Sequence, residues 1–429
     1  MSTAAAVPHQ RGSLSVMQGA ALYVGAVLGT GVIALPALAA AAAGPASLVA
    51  WLALVLLSAP LAATFAALGA RYPDAGGVST YVRNAFGPRA AAVVGWCFYF
   101  AVPAGAPAAA MFGGAYVAAA FGGGEWTVIG TAAILVFTVT LANALGLTVS
   151  GRLQLLLAVL LVALLLAAVI ASAPHAQLAN LQPFAPHGWL AVFPAAALLV
   201  WSFAGWEAIT HLAAEFRHPA HDLPLAAGIA VVVVGVLYMG VATMSVMVLG
   251  PKAGTSSAPL AELLARGLGG KLHMLAAVAA LLLTLGTMNA YFAGAAKLGA
   301  ALGRDGALPQ WLAQGSRAGD VPRRSLFTIA ALATLALIVV VIAGVGPRPL
   351  VLLTTGSFVT VYALGMAAAL RLLPRGSWPH LCARVALVAV AGLCCATGWY
   401  LLWPLVITGC ALLYLRVRRV SVSSARTIP

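Results

Sequence analysis

The chain alternates between long uncharged apolar runs and short stretches that hold almost all of its charge. A helix needs about 20 consecutive apolar residues to cross the hydrocarbon core of a bilayer. By that measure the pattern predicts twelve spans, at residues 14–42, 46–70, 89–121, 126–148, 152–172, 188–214, 224–250, 271–301, 325–346, 349–371, 379–397 and 399–415. Spans 11 and 12 are the least separated, because Val385 to Leu415 contains no charge and reads equally as one long helix. Between spans 7 and 8 lies GPKAGTSSAPLAELLARGLGG, residues 250–270, with an apolar-periodic core from Leu260 to Leu268. It reads as an ordinary connecting helix, or as a segment that lies on the membrane or caps a vestibule.

Two spans are interrupted where a stable helix would carry leucine. Span 1 contains VGAVLGTGVIALP, residues 24–36, with Gly25, Gly29 and Gly31 around Thr30. Its GTGVIA fits the loose dinucleotide pattern G-x-G-x-x-A, but no short strand precedes it and no acid follows before Asp74. A phosphate loop is excluded, since no Gly-Lys-Ser/Thr follows. Two readings remain: Gly25-x-x-x-Gly29 as a close helix-packing motif, or a helix broken in mid-membrane. A break strands backbone N–H groups that lipid cannot satisfy, so it must line a cavity, and the positive end of the second half-helix suits a carboxylate. A second break in a repeated half separates the readings, because such carriers bind substrate between paired discontinuous helices. With five spans per repeat, span 6 is the counterpart. It carries Ser202-Phe203-Ala204-Gly205-Trp206-Glu207 near its centre, including the single carboxylate placed deep inside a span.

Composition rules out a soluble fold. The 429 residues are 63% hydrophobic and 7% charged, so the bilayer is the solvent. The net charge of +14 invites a nucleic-acid reading, but its placement removes that. With the N-terminus inside, 18 of the 22 basic residues fall on the cytoplasmic side, leaving Lys252, Arg266, Lys271 and Arg348 outside. The same bias favours a hairpin over a single helix for spans 11 and 12, keeping Arg416, Arg418 and Arg419 inside. The first dozen residues lack the basic start, apolar core and cleavage site of a signal peptide. Cys97, Cys382, Cys394, Cys395 and Cys410 fall in apolar spans without metal-ligand spacing, and are expected as core residues with no disulfide framework.

Four motifs occur in an order that resembles the amino acid–polyamine–organocation transporter superfamily. These are GAVLGTG in span 1; RYPDAGGVSTYVRNAFGP, Arg71 to Pro88; FAGWE with AAEFRHPAHDLPLA, ending at Ala226; and KLGAALGRDGALPQWLA, Lys297 to Ala313. The resemblance covers roughly spans 1 to 10, and GWEAITHLAAEF is most similar to bacterial exporters of methionine and branched-chain amino acids. It implies an all-α membrane protein with a 5+5 inverted repeat (LeuT-type) and discontinuous spans 1 and 6. The expected division is a cytoplasmic tail at 1–13, repeats at 14–172 and 173–375, peripheral spans at 376–416 and a cytoplasmic tail at 417–429, in a bacterial inner membrane. It also implies roles. Backbone N–H groups of Gly29, Thr30 and Gly31 would hold a substrate carboxylate, and carbonyls of Val27, Ser202, Phe203 and Ala204 would accept from its ammonium. The chain departs from proton-coupled relatives in having no lysine in span 5, while Thr284 and Thr287 of span 8 supply hydroxyls for a sodium site without fixing one.

Individual residues carry paired readings. A carboxylate deep in a span costs about 3 kcal/mol or more, so Glu207 is either a proton carrier or a group that bonds the freed backbone. Trp206, Phe203, Phe98 and Tyr99 are candidates for the wall of an apolar pocket, or ordinary packing aromatics. Arg71, Glu215 and Asp222 are gating candidates: Glu215, Arg217 and Asp222 are placed to form cytoplasmic ion pairs with Arg71, Arg83 or Arg89 that latch an inside-closed gate, worth little where exposed. Lys297 reads as a snorkelling lysine, and His211 with Glu215 as local structure in the absence of a third metal ligand. The expectation is a secondary transporter of neutral, hydrophobic amino acids, with efflux as the favoured direction; an importer or exchanger of another amino acid or amine is the alternative. An intramembrane enzyme lacks clustered nucleophile partners, and a channel lacks a repeated polar lining. No cofactor or metal is expected, a proton is favoured over sodium as coupling ion, and the partners are the amino acid and the bilayer, in a monomer or homodimer.

Overall fold

The structure is a computed structural model that describes residues 14–72, 77–146, 151–207, 213, 216–269, 273–316 and 320–425. The described chain is helical, and its one β feature is an isolated bridge between Leu14 and Phe216. The helices are α1 (Val16–Leu28), α2 (Gly31–Ala43), α3 (Ser47–Arg71), α4 (Val78–Phe86), α5 (Pro88–Phe121), α6 (Glu125–Ala144), α7 (Gly151–Ser172), α8 (Val192–Phe203), α9 (Pro219–Leu249), α10 (Pro259–Leu268), α11 (His273–Arg304), α12 (Arg323–Ala343), α13 (Arg348–Leu372), α14 (Trp378–Thr397) and α15 (Leu402–Ala425).

Among the described residues, nine helical stretches are long and apolar enough to cross a membrane. That differs from the twelve expected spans for physical reasons. Gly31–Arg71 and Trp378–Arg418 each run through two helices joined by a single 3-10 turn. Spans 1 and 6 are interrupted, leaving the short pieces Val16–Leu28 and Trp189–Phe203. The uncharged run Val385–Leu415 is not one helix. It breaks at Gly398, whose φ of +58° belongs to the left-handed region, and α14 and α15 leave the break against α13 and α5 respectively.

Lipid sets which faces are apolar. Leu56, Phe137, Val236, Ile342 and Leu405 are exposed on the outside of the bundle, where hydrocarbon replaces water. Exposed tryptophans sit near helix ends, Trp126, Trp189, Trp378 and Trp399 among them, as interfacial anchors do. Cys97 and Cys382 are buried as expected, but Cys395 and Cys410 are exposed, correcting their assignment to the core.

Inside the bundle, small residues set the helix spacing. A Cβ on Gly299 would lie 2.2 Å from the Tyr99 ring, and one on Gly95 2.7 Å from Leu302, so α5 and α11 approach through glycine. α5 runs through the middle of the bundle, packed against α4, α6, α11, α12, α13 and α15. α10 is not a surface helix. Leu260, Leu263 and Leu264 are buried, and it packs on α7, α9, α11 and α2.

Candidate substrate site at two helix breaks

The first break follows from the glycines of span 1. α1 stops at Leu28; Gly29 takes φ 14°, ψ −155°, which ends the helical run, and α2 restarts at Gly31. The first turn of α2 then carries N–H groups without intrahelical partners. Thr30 at its N-cap makes no capping bond with its side chain, and its buried hydroxyl has no partner among the described residues.

The second break follows from Gly205. α8 stops at Phe203, Ala204 turns extended, and Gly205 has φ +126°, a conformation L side chains rarely adopt. Glu207 is 3% exposed and closes this break: its Oε2 accepts from the Gly205 N–H at 3.0 Å and from the Tyr362 hydroxyl at 2.6 Å. The backbone-bonding reading of Glu207 is therefore visible in the geometry. The second half of span 6, including His211 and Glu215, falls outside the described residues.

The two breaks touch. A Cβ on Gly205 would lie 2.9 Å from the Ala26 carbonyl oxygen, and one on Gly31 would lie 2.2 Å from Ser202 Oγ and 2.9 Å from Ser202 Cα. Glycine at both positions is what lets backbone meet backbone. The contact is fastened by Tyr238 of α9, whose hydroxyl stands 2.7 Å from both the Val27 and the Ser202 carbonyl oxygens. Its one proton is shared between two acceptors. The ring is held at 5.1 Å from both Trp51 and Phe203.

A cavity opens beside this contact, about 560 Å³ with its mouth included. Ala26, Val27, Gly29, Thr30 and Gly31 form one wall. A stripe of small residues on α5, from Ala101 to Ala109, forms another. Trp201, Met288, Tyr291, Phe292 and Phe358 supply bulk, and Thr30, Thr287, Tyr291 and Thr354 are the lining residues with side-chain hydroxyls. Among the described residues, no charged side chain lines it.

The predicted residues divide accordingly. Val27, Gly29, Thr30, Gly31 and Ala204 line the cavity. Ser202, Phe203 and Trp206 stand behind its wall rather than on it. Trp206 is fully buried against Tyr23, ring centroids 5.9 Å apart. The Phe203 carbonyl faces the Tyr362 hydroxyl at 3.3 Å. The aromatic wall comes from Trp201, Tyr291, Phe292 and Phe358 instead. Phe98 packs behind Phe358, and the Tyr99 hydroxyl bonds to Ser325. Thr287 lines the cavity, while Thr284 donates to the Ala280 carbonyl of its own helix. Tyr238 belongs to no local motif, and only the fold brings it to the breaks; Trp201 directly precedes Ser202 in span 6, so its place beside the second break was open to the sequence.

The expected gate pairs are rearranged. Asp222 accepts from the His218 N–H and bonds His221 Nδ1 at 3.1 Å, both neighbours at the start of α9. Arg83 meets Asp305 at 3.8 Å, and Arg71 is exposed with no ion pair among the described residues. Arg371 donates to the Ala85 carbonyl and lies over the Phe86 ring, clasping α4.

With this geometry in place, a family profile described as amino acid permease matches residues 14–421. The chain belongs to the amino acid permease family. It is 33% identical over 412 residues to the uncharacterized amino acid permease YecA of Bacillus subtilis, covering 96% of this chain and 97% of that one. It is 32% identical over 407 residues to the L-methionine/branched-chain amino acid exporter YjeH of Escherichia coli, covering 92% and 93%. The branched-chain amino acid permease BcaP of Bacillus subtilis matches at 26% over 241 residues, about half of each chain. The permease is thus an integral membrane transporter of the amino acid–polyamine–organocation superfamily, and not an enzyme.

Proposed function

We propose that this permease is a secondary active transporter of neutral, hydrophobic amino acids that works in export by alternating access around the two breaks. The observation that carries the reading is the cavity wall. Bare backbone of the α1–α2 break stands on one side, apolar aromatics on the others, and among the described residues no charged side chain faces in. A zwitterion with an apolar side chain matches each part. Its carboxylate meets the N–H groups at the start of α2 from Gly29 to Gly31, favoured by the helix dipole. Its side chain meets Trp201, Met288, Phe292 and Phe358. A cationic substrate would find no counter-charge among the described residues of the cavity wall. The named exporter YjeH, similar along nearly the whole chain, supports both substrate class and direction.

In this reading the chain sits in the bacterial inner membrane with both termini cytoplasmic, as the basic residues favour, and its two halves, 14–172 and 173–375, are inverted repeats. Spans 11 and 12 are peripheral, and it works as a monomer or homodimer. The proton is the coupling ion, with Glu207 as its carrier through the contacts to Gly205 and Tyr362.

Counterflow in proteoliposomes tests the substrate class. Vesicles loaded with unlabelled methionine or leucine should accumulate external labelled leucine above equilibrium, and lysine inside should not drive it. Counterflow driven equally by lysine, or by no amino acid, overturns the reading.

A further inference from the structure

The lid-like helix α10 has an unusual start. Its N-cap, Ala258, offers no side-chain acceptor, and its first residue, Pro259, has no N–H. The next donor, the Leu260 N–H, is buried with its residue at 1% exposure and would be an orphan of the first turn. It donates instead to the hydroxyl of Tyr116, at 3.1 Å, from a different helix. Tyr116 in turn donates to the Ile33 carbonyl of α2 at 2.7 Å. One hydroxyl fills both roles, since it holds one proton and two acceptor lone pairs. Tyr116 is 1% exposed, so neither bond has water as an easy substitute.

The positions of the three elements give this relay a consequence. Tyr116 lies two helical turns along α5 from Ala109, the last α5 residue lining the cavity, about 10 Å by the helix rise. Ile33 is two residues beyond Gly31, in the same first turn of α2 that borders the cavity. α10 therefore hangs, through Tyr116, on the turn that faces the substrate. α10 is also held by Arg266, which donates to the Val248 carbonyl of α9, by Glu262, which accepts from the Ser256 hydroxyl, and by close packing, a Cβ on Gly267 lying 2.5 Å from the Ala171 backbone; among these bonds the Tyr116 relay is the one that reaches α2.

We propose that Tyr116 is the catch of an outer gate: its hydroxyl ties α10 to the half-helix α2, so that closure of α10 depends on the position of α2. The inference rests on the carrier reading for its direction, outer against inner, and on the hydrogen bonds for its parts. A tie of this kind makes α10 release when α2 moves, and holds it shut while α2 keeps the pose seen here.

The test is thiol accessibility of the cavity from the outside. A reporter cysteine at Ala106, in a chain whose five native cysteines are replaced by serine or alanine, is exposed to a membrane-impermeant thiol reagent in right-side-out vesicles. Y116F keeps the ring and loses the hydroxyl, and should raise the labelling rate roughly tenfold, the scale of losing a buried, doubly used hydrogen-bonding group. Adding A258S gives α10 a cap of its own without a link to α2, so labelling should stay fast. An unchanged rate in Y116F overturns the proposal. So does restoration by A258S, which would make Tyr116 only a cap. Should Y116F not fold, A258D in the presence of Tyr116 serves. A rival acceptor for the Leu260 N–H should also speed labelling, and no acceleration counts against the catch. The assay requires no transported substrate, so a failure of the amino-acid reading leaves it standing.

Discussion

Glu207 shows how one side chain serves a broken helix. Its carboxylate takes the Gly205 N–H and the Tyr362 hydroxyl on the same oxygen, so the break has a polar partner where lipid and apolar side chains offer none. Those contacts give the residue a role at the break that needs no proton, beside the proton-carrier role proposed for it. The variant E207Q separates the two. Gln retains an oxygen to accept from Gly205 and Tyr362 and cannot titrate. Transport by E207Q is expected to continue at a reduced rate with a flat pH profile, read as substrate flux in proteoliposomes at several pH values. A normal pH response in E207Q removes Glu207 from the coupling and leaves it as the group that shapes the break. At this scale the sequence is informative about polarity and silent about partners. Glu207 is conspicuous because it is an acid within an apolar run. Tyr362, 155 residues away, and Tyr238, 211 residues from the carbonyl it meets, look like any aromatic of a long helix. Trp206 errs the other way: adjacency to the break suggested a wall residue, yet the turn at Ala204–Gly205 points its indole at Tyr23.

Helices α1 and α2, with α8, owe their ends to glycines whose missing Cβ is a contact requirement as much as a conformational one. Gly31 begins α2 with a backbone that any residue adopts; what it cannot bear is a methyl group 2.2 Å from Ser202 Oγ. G31A is therefore expected to push the two breaks apart and cut flux at least tenfold, a few kcal/mol of overpacking being enough. S202G removes the oxygen and Cβ that the new methyl meets, and the double variant G31A/S202G should recover part of the flux. If G31A transports normally, the breaks are not in the close contact described. Both breaks were legible from glycine placement and from the matched position in each half. The element count was less so. Hydropathy alone cannot tell two helices joined by a 3-10 turn from one, nor a half-helix from a short span. α10 was open between an ordinary connecting helix, a membrane-surface helix and a cap, and its buried leucines exclude a place on the surface.

At the scale of the whole molecule, the lipid-facing shell and the internal site obey opposite rules. The shell is apolar and tolerant, with leucine, valine and phenylalanine exposed between interfacial tryptophans. The interior brings small residues and bare backbone together around a cavity with no charged lining among the described residues. The family assignment agrees with this division along residues 14–421. The surface ion pairs add little: Arg83 and Asp305 are both substantially exposed, and such pairs contribute about 0–1 kcal/mol. Specificity then rests on the cavity, and the most direct measurement is a structure of the permease with leucine or methionine bound. The carboxylate should lie within hydrogen-bonding distance of the N–H groups between Gly29 and Gly31, with the side chain against Trp201, Phe292 or Phe358. Density for the amino acid elsewhere, or helices running unbroken through residues 28–31 and 203–207, would contradict the account.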